Sequence, residues 1–225
     1  GYKQRVFDHY PSIQPNIFGL SQGINNVYQH AGVPHKNLFL TPNGLDIDAY
    51  RFTDKPKYSE RSICIGKIED RKKQFFLQRI NSLWFAGNIA DNRFNQDKNY
   101  LGEIPKSEIK TNLTDYGNLV LISDGEVHPR VCTEALAAGL GIVISECGIA
   151  NLDLSKPFIT VIPDSKINDI KYIETQIIMN RDYSNSHRHD ILEYARQFDW
   201  DNILEKYYFP SINKIRSDYV PSITK

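Results

Sequence analysis

The sequence has no surplus of either charge. Its 27 lysines and arginines balance 27 aspartates and glutamates, so no global field favours nucleic acid or an anionic membrane. It has no apolar run near the roughly 20 residues that span a bilayer. The opening Gly1-Tyr2-Lys3-Gln4 has no apolar signal-peptide core, and a cytoplasmic location is expected. Cysteine is scarce: Cys64, Cys132 and Cys147 are odd in number, lack Cys-x-x-Cys spacing and sit in or beside apolar runs. They read as buried thiols in a reducing compartment. Neither an internal repeat nor a low-complexity segment is present. Metal-ligand clusters are missing too. His187-Arg188-His189 lies in a polar stretch expected to be a loop, without acids or cysteines around it. Asp46-Ile47-Asp48 follows a Pro-Asn-Gly turn, and Asp199-Trp200-Asp201 opens a helix, where Asp is a cap; no metal is expected at either.

What the chain does have is an organising stretch from Ser123 to Gly148. The apolar run Leu119 to Ile122 reads as a buried strand ending at Ser123-Asp124-Gly125. Pro129 fits the first turn of a helix that runs through Ala135, Ala137 and Ala138 and stops at Gly139. Ile142-Val143-Ile144 is the next strand. Glu126 and Glu134 thus bracket a helix start, whose free N–H groups and partial positive charge form a natural seat for a diphosphate. Carboxylates beside that seat can accept from hydroxyl pairs. Phosphate plus polyol suggests a sugar nucleotide.

Around this stretch, strand and helix patterns alternate. Strands are expected at Ile17 to Ser21, Leu38 to Leu40, Ile63 to Gly66, Leu83 to Ala86, near Tyr100, and at Phe158 to Ile162. Helices are expected at Gln22 to Ala31, Arg71 to Asn81 and Pro105 to Leu113. Helical spacing also links Ile167, Ile170, Ile173, Ile177 and Ile178, and then Ile191, Leu192, Ala195 and Phe198. Residues 1–15 show no period and read as irregular, and residues 51–61 read as a loop. The class is α/β: a Rossmann-like parallel sheet with helices on both faces and a ligand crevice at the strands' carboxyl ends.

Four segments, in order, carry a family resemblance. Glu126 and Glu134, with seven residues between them and the second followed by Ala-Leu-Ala-Ala-Gly, resemble the signature of retaining GT-B glycosyltransferases related to glycogen and sucrose synthases. Thr41-Pro42-Asn43-Gly44-Leu45-Asp46 resembles their Pro-Asn-Gly-Val-Asp hinge. Ile65-Gly66-Lys67, with Lys72 five residues on, resembles their Gly-Arg…Lys segment, and Phe198-Asp199-Trp200 their Phe-Ser-Trp. The resemblance covers roughly residues 38–206. It implies a C-terminal GT-B half, with residues 1–40 as a remnant of the acceptor side, 41–200 as the donor-binding domain and 201–225 as a final helix and tail.

The resemblance also implies roles. Lys67 and Lys72 would hold the donor diphosphate, Glu126 the sugar hydroxyls and Glu134 the ribose. Lys67, Lys72 and Glu126 are then the catalytic candidates, and Gly66, Ile104, His128, Pro129, Arg130 and Val131 complete the donor site. The donor, a UDP- or GDP-sugar, is a substrate, and no cofactor is expected. The acceptor would be a glycan, lipid or protein, brought by an acceptor domain that is a partner or a missing N-terminal half. The plain alternatives are solvated lysines in a basic cluster with Arg71 and Lys73, an exposed helix carboxylate at Glu134, and a glycosidase-like carboxylate pair; hydrolysis of a glycoside would need neither the lysines nor the anion seat. A non-catalytic nucleotide-sugar module is the rival function. The sequence departs from the family pattern at Val127-His128-Pro129-Arg130, where Gly-Phe-Gly or Gly-Phe-Pro is common, at Lys67 for Arg, and at Gly141 for Pro. The sugar pocket is therefore expected to differ in shape.

Overall fold

A computed structural model describes residues 2–219, with side chains from residue 8 to 218. The chain forms two compact units, Gly1–Gly44 with Phe198–Lys225, and Leu45–Gln197. The first chain boundary falls inside Thr41–Asp46, and the second falls just before Phe198-Asp199-Trp200.

The first unit opens with helix α1 (Tyr2–Ile13), where an irregular segment is expected from the sequence. The signal for irregularity is Pro11, which the helix takes into its last turn at the loss of one N–H donor, with only two residues of helix left beyond it. Its ring rests against Gly32, at which a Cβ would come within 2.7 Å. Strand β1 (Ile17–Gly19), helix α2 (Gln22–His30) and strand β2 (Leu38–Leu40) come next. Ser21 caps α2 by accepting from the Ile24 N–H at 3.3 Å. The two strands pair in parallel, Ile17 opposite Leu38.

The second unit contains β3 (Tyr58–Ile65), α3 (Gln74–Leu77), β4 (Leu83–Ala86), α4 (Lys106–Asn112), β5 (Tyr116–Leu121), α5 (Arg130–Ala137), β6 (Gly141–Ser145), β7 (Ile159–Ile162), α6 (Ile170–Ser186) and α7 (Arg188–Ala195). The five strands form one parallel sheet in the order β4-β3-β5-β6-β7, the architecture expected. Every residue of β5 and β6 is buried, as in a sheet covered on both faces. On one face Cys64, Val120, Ile122, Val143 and Ile162 pack with Leu77 of α3 and with Ile173 and Ile177 of α6. Each such side chain contributes about 1.5–3 kcal/mol. Helix α5 packs on β5 and β6 through Ala135, Leu136 and Ala137, all fully buried. It ends at Gly139, whose φ of +79° stops the helix.

Strand order reverses between β3 and β5. The chain leaves β3 to one side for β4 and returns on the other side as β5, so the connecting loops diverge and leave a crevice at the carboxyl ends of those two strands.

The structure corrects three local expectations. Strand β3 begins at Tyr58, inside the expected loop; its polar first half pairs with β5 alone and shifts register before Ser62, so it has the exposure of an edge. The helix expected from Arg71 to Asn81 is a 3₁₀ turn (Asp70–Lys72), then Lys73 at φ +52°, then the single turn of α3. Finally, Arg188 starts α7 and is not in a loop. It is 2% exposed and donates to the carbonyls of Thr53 (2.7 Å), Thr114 (2.6 Å), Tyr116 (3.1 Å) and Ala138 (3.1 Å), and to Thr114 Oγ1 at 3.0 Å. Burial lowers its pKa to about 10.

The chain's last described elements, α8 (Trp200–Ile203) and α9 (Phe209–Tyr219), flank a π-helical turn in the first unit. Asp199 caps α8 by accepting from the Asp201 N–H at 3.1 Å. The Trp200 ring lies so close over Gly44 that a Cβ there would stand 2.4 Å from it. No helix among the described residues is long and apolar enough to cross a membrane.

Candidate functional site

A cleft of about 320 Å³ opens at the reversal between β3 and β5. Its floor is Ile65 and Leu121, the last residues of the two strands, and its walls come from the loops that leave them and from the start of α5.

After β3 the chain turns at Gly66 (φ +145°), whose neighbour Gly87 after β4 has φ +142°. The backbones touch here: a Cβ on Gly87 would sit 2.1 Å from the Gly66 carbonyl oxygen. Gly66 also leaves room for Lys72, whose Nζ would lie 3.0 Å from a Cβ at that position. Lys72 thus reaches back over the strand end, largely covered, with its Nζ 3.8 Å from Glu126 Oε1.

After β5 the loop is pinned at its root. The Ser123 N–H donates to Ser145 Oγ at 3.0 Å, Ser145 Oγ donates back to the Ser123 carbonyl at 2.8 Å, and Cys147 Sγ donates to the same carbonyl at 2.9 Å. Arg71 holds the loop's far side, donating to Ser123 Oγ (2.9 Å), to the Gly125 carbonyl and to Glu126 Oε1 (3.1 Å). Lys73 pairs with Asp124 at 2.9 Å, and the Asp124 N–H donates to the Arg71 carbonyl. These bonds explain the broken helix: the basic turn is folded around the loop instead of continuing its own ladder.

The loop leads into α5 through Pro129, which occupies the cap position, one residue before the expected first turn, and makes no side-chain cap bond. The leading N–H groups of Arg130 and Val131 therefore stand uncapped at the wall of the cleft, with the positive end of the helix behind them. His128 is buried beside them, and burial lowers its pKa below the ordinary 6.5. Below 6.5 the unfolded chain takes up the proton first, so stability falls with acidification. A His128→Gln chain is expected to lose less stability between pH 7 and pH 5 in urea titrations, and equal losses would contradict the assignment.

Glu134 closes the cleft on the α5 side, its side chain 8% exposed and its Oε1 2.8 Å from Lys106 Nζ. The Tyr50 hydroxyl is buried close by without a well-formed hydrogen bond. Burial first, and the Glu134 carboxylate second, push its pKa up. Among the described residues no three His, Cys, Asp or Glu side chains converge on a point that could hold a metal.

No family model and no curated protein sequence matches the chain. Solved structures do. HepE of Anabaena, in complex with UDP and glucose, aligns over 96% of this chain and 67% of its own length, with TM-score 0.71 and 16% identity. The chain has the fold of a Rossmann-like GT-B half. Two further GT-B structures agree. TarM of S. aureus aligns over 94% of this chain and 46% of its own, with TM-score 0.69 and 16% identity. Sucrose-phosphate synthase from Thermosynechococcus elongatus aligns over 88% and 58%, with TM-score 0.67 and 14% identity. The chain thus spans about half to two thirds of the length of these proteins.

In this GT-B unit the cleft gathers most of the residues singled out from the sequence: Gly66, Lys72, Glu126, His128, Pro129, Arg130, Val131 and Glu134. Two lie elsewhere. Lys67 is 58% exposed and leans toward Glu69 at 4.0 Å. Ile104 lines a second cavity of about 310 Å³, which shares the Ile65 wall and continues between β3 and α4. Sequence reasoning missed Arg71 and Lys106 as partners of the two glutamates. Arg71 looks like one more residue of a basic cluster, and the only signal for Lys106 is its place at the start of a helix, where a cation is unexpected. Cys64 and Cys132 are buried and free, and burial pushes the Cys64 thiol up to about 12, so neither is reactive.

Proposed function

We propose that the Leu45–Gln197 unit binds a nucleotide-sugar donor, a UDP- or GDP-sugar, as part of a retaining, metal-independent glycosyltransferase of the hexosyltransferase type acting in the cytoplasm. The observation that carries this reading is one cleft, at the strand reversal, in which an uncapped helix start, Lys72 and two carboxylates face the same space. The N–H groups of Arg130 and Val131, with Lys72, are donors for a diphosphate, and Glu126 and Glu134 are acceptors for hydroxyls. As the glycosidic bond breaks, charge grows on the leaving diphosphate, and Lys72 and the helix start are aimed at it before it forms. HepE was solved with UDP and with UDP-glucose, which supports the donor class. The glycan, lipid or protein acceptor would come with an acceptor domain that supplies its own side of the site.

The test is thermal stabilisation against nucleoside diphosphates and nucleotide sugars. One nucleotide should raise the midpoint, and Lys72→Ala and Glu134→Ala should each reduce the shift at the same ligand concentration. No shift at millimolar ligand would overturn the reading. A second reading, a nucleotide-sugar module without turnover, is favoured by the occupation of Glu126 by Arg71 and Lys72, which leaves that carboxylate fewer free sites for sugar hydroxyls. Donor hydrolysis by the isolated chain separates the two.

A further inference from the structure

Glu134 is the most deeply buried carboxylate of the cleft, and a buried carboxylate is strongly destabilising unless a cation answers it. The answering cation comes from another element. Lys106 leads α4, comes directly after Pro105, and keeps its side chain 53% exposed while its Nζ sits 2.8 Å from Glu134 Oε1. The other charged or ionisable groups beside this carboxylate are Tyr50, whose hydroxyl makes no well-formed hydrogen bond, and Arg130 on Glu134's own helix. The well-formed hydrogen bond to the carboxylate is the one from Lys106.

The placement is specific. Ile104, two residues before Lys106, lines the second cavity, and Glu134 lines the first; the two cavities share Ile65. Lys106 holds one of the two carboxylate oxygens, Oε1.

We propose that Lys106 is a positioning residue for the nucleotide: by its hydrogen bond to Oε1 it holds the Glu134 carboxylate in one orientation, so that the carboxylate accepts a ribose hydroxyl. This rests on the donor-site reading. The lysine does not itself touch the reacting atoms. Its contribution is to the preference for an intact ribose diol, because without the ammonium the Glu134 carboxylate is free to swing toward Arg130 and away from the ribose.

Calorimetric titration of the whole chain with UDP and GDP and with their 2′,3′-dideoxy counterparts tests this. The wild type should bind the ribonucleotide at least roughly tenfold more tightly than the dideoxy form, the worth of one hydrogen bond to a charged group. In Lys106→Met and Lys106→Gln that preference should collapse toward one, as in Glu134→Gln, and Lys106→Arg should restore it. Lys106→Met and Lys106→Gln leave the buried Glu134 carboxylate without its cation and should lower the ligand-free thermal midpoint, so each titration is run well below the variant's own midpoint and the ratio of ribose to dideoxy affinity is compared. A ribose preference kept in full by Lys106→Met and Lys106→Gln overturns this inference alone. A wild-type chain that binds neither UDP nor GDP overturns the donor-site reading and this inference with it.

Discussion

Replacing Arg188 with alanine is expected to destabilise the Leu45–Gln197 unit by about 3–5 kcal/mol, through orphaned buried carbonyls and a cavity, the largest effect expected of a single substitution in the fold. The guanidinium joins four separate segments: Thr53 before β3, Thr114 and Tyr116 at the entrance of β5, Ala138 at the end of α5, and its own helix α7. Removal leaves a cavity and four carbonyl oxygens whose partner is gone, each orphan costing about 1–3 kcal/mol before relaxation. The charge is answered by carbonyl oxygens instead of by a close carboxylate, so no opposite charge is orphaned in return. Arg188→Met, which refills the volume, should recover part of the loss, since it supplies packing and no donors. Urea denaturation followed by circular dichroism checks both. A midpoint within about 1 kcal/mol of wild type for the alanine variant would show that water satisfies those carbonyls.

The second large effect is on binding. Lys72→Ala should weaken nucleoside diphosphate binding roughly 10- to 150-fold, the range of one hydrogen bond to a charged group. The lysine is mostly covered, held over Gly66 and 3.8 Å from Glu126, so little entropy remains to be lost when it meets a phosphate. Lys67→Ala is the internal comparison. Its amine is exposed and lies toward Glu69, so from this geometry its loss should matter much less. Equal losses from the two variants would mean that Lys67 swings into the cleft on binding. Stability should change little in either, which separates a binding defect from unfolding.

Much of this is legible in the letters, and the reasons differ by element. Strands β5 and β6 carry the short apolar runs Leu119 to Ile122 and Ile142 to Ile144, bounded by turn residues, and such runs mark buried strands; helix α5 has its small face and its stopping glycine. The crevice is implied by alternation alone, because loops after parallel strands share one edge of the sheet. What the letters conceal is decided by partners distant in sequence. Arg188 lies on the same helical stripe as Ile191 and Ala195, three and seven residues on, which is the one sign that it faces inward; its acceptors are up to 135 residues away. The turn at Arg71–Lys73 has ordinary helix formers, and it is broken by ion pairs to Asp124 and Glu126, some 50 residues later. Lys106 is likewise 28 residues from Glu134, so no local pattern joins them. The first half of β3 is hidden for a different reason: with β5 alone beside it, it can carry Ser59, Glu60 and Arg61, which a fully covered strand would not.

Diffraction from the chain crystallised with saturating UDP or GDP tests the assignment of the cleft most directly. The expected result is a diphosphate in front of α5, accepting from the Arg130 and Val131 N–H groups with Lys72 Nζ within hydrogen-bond distance, and the ribose against Glu134. A nucleotide bound elsewhere on the chain, or a cleft left empty at saturating ligand, would contradict it.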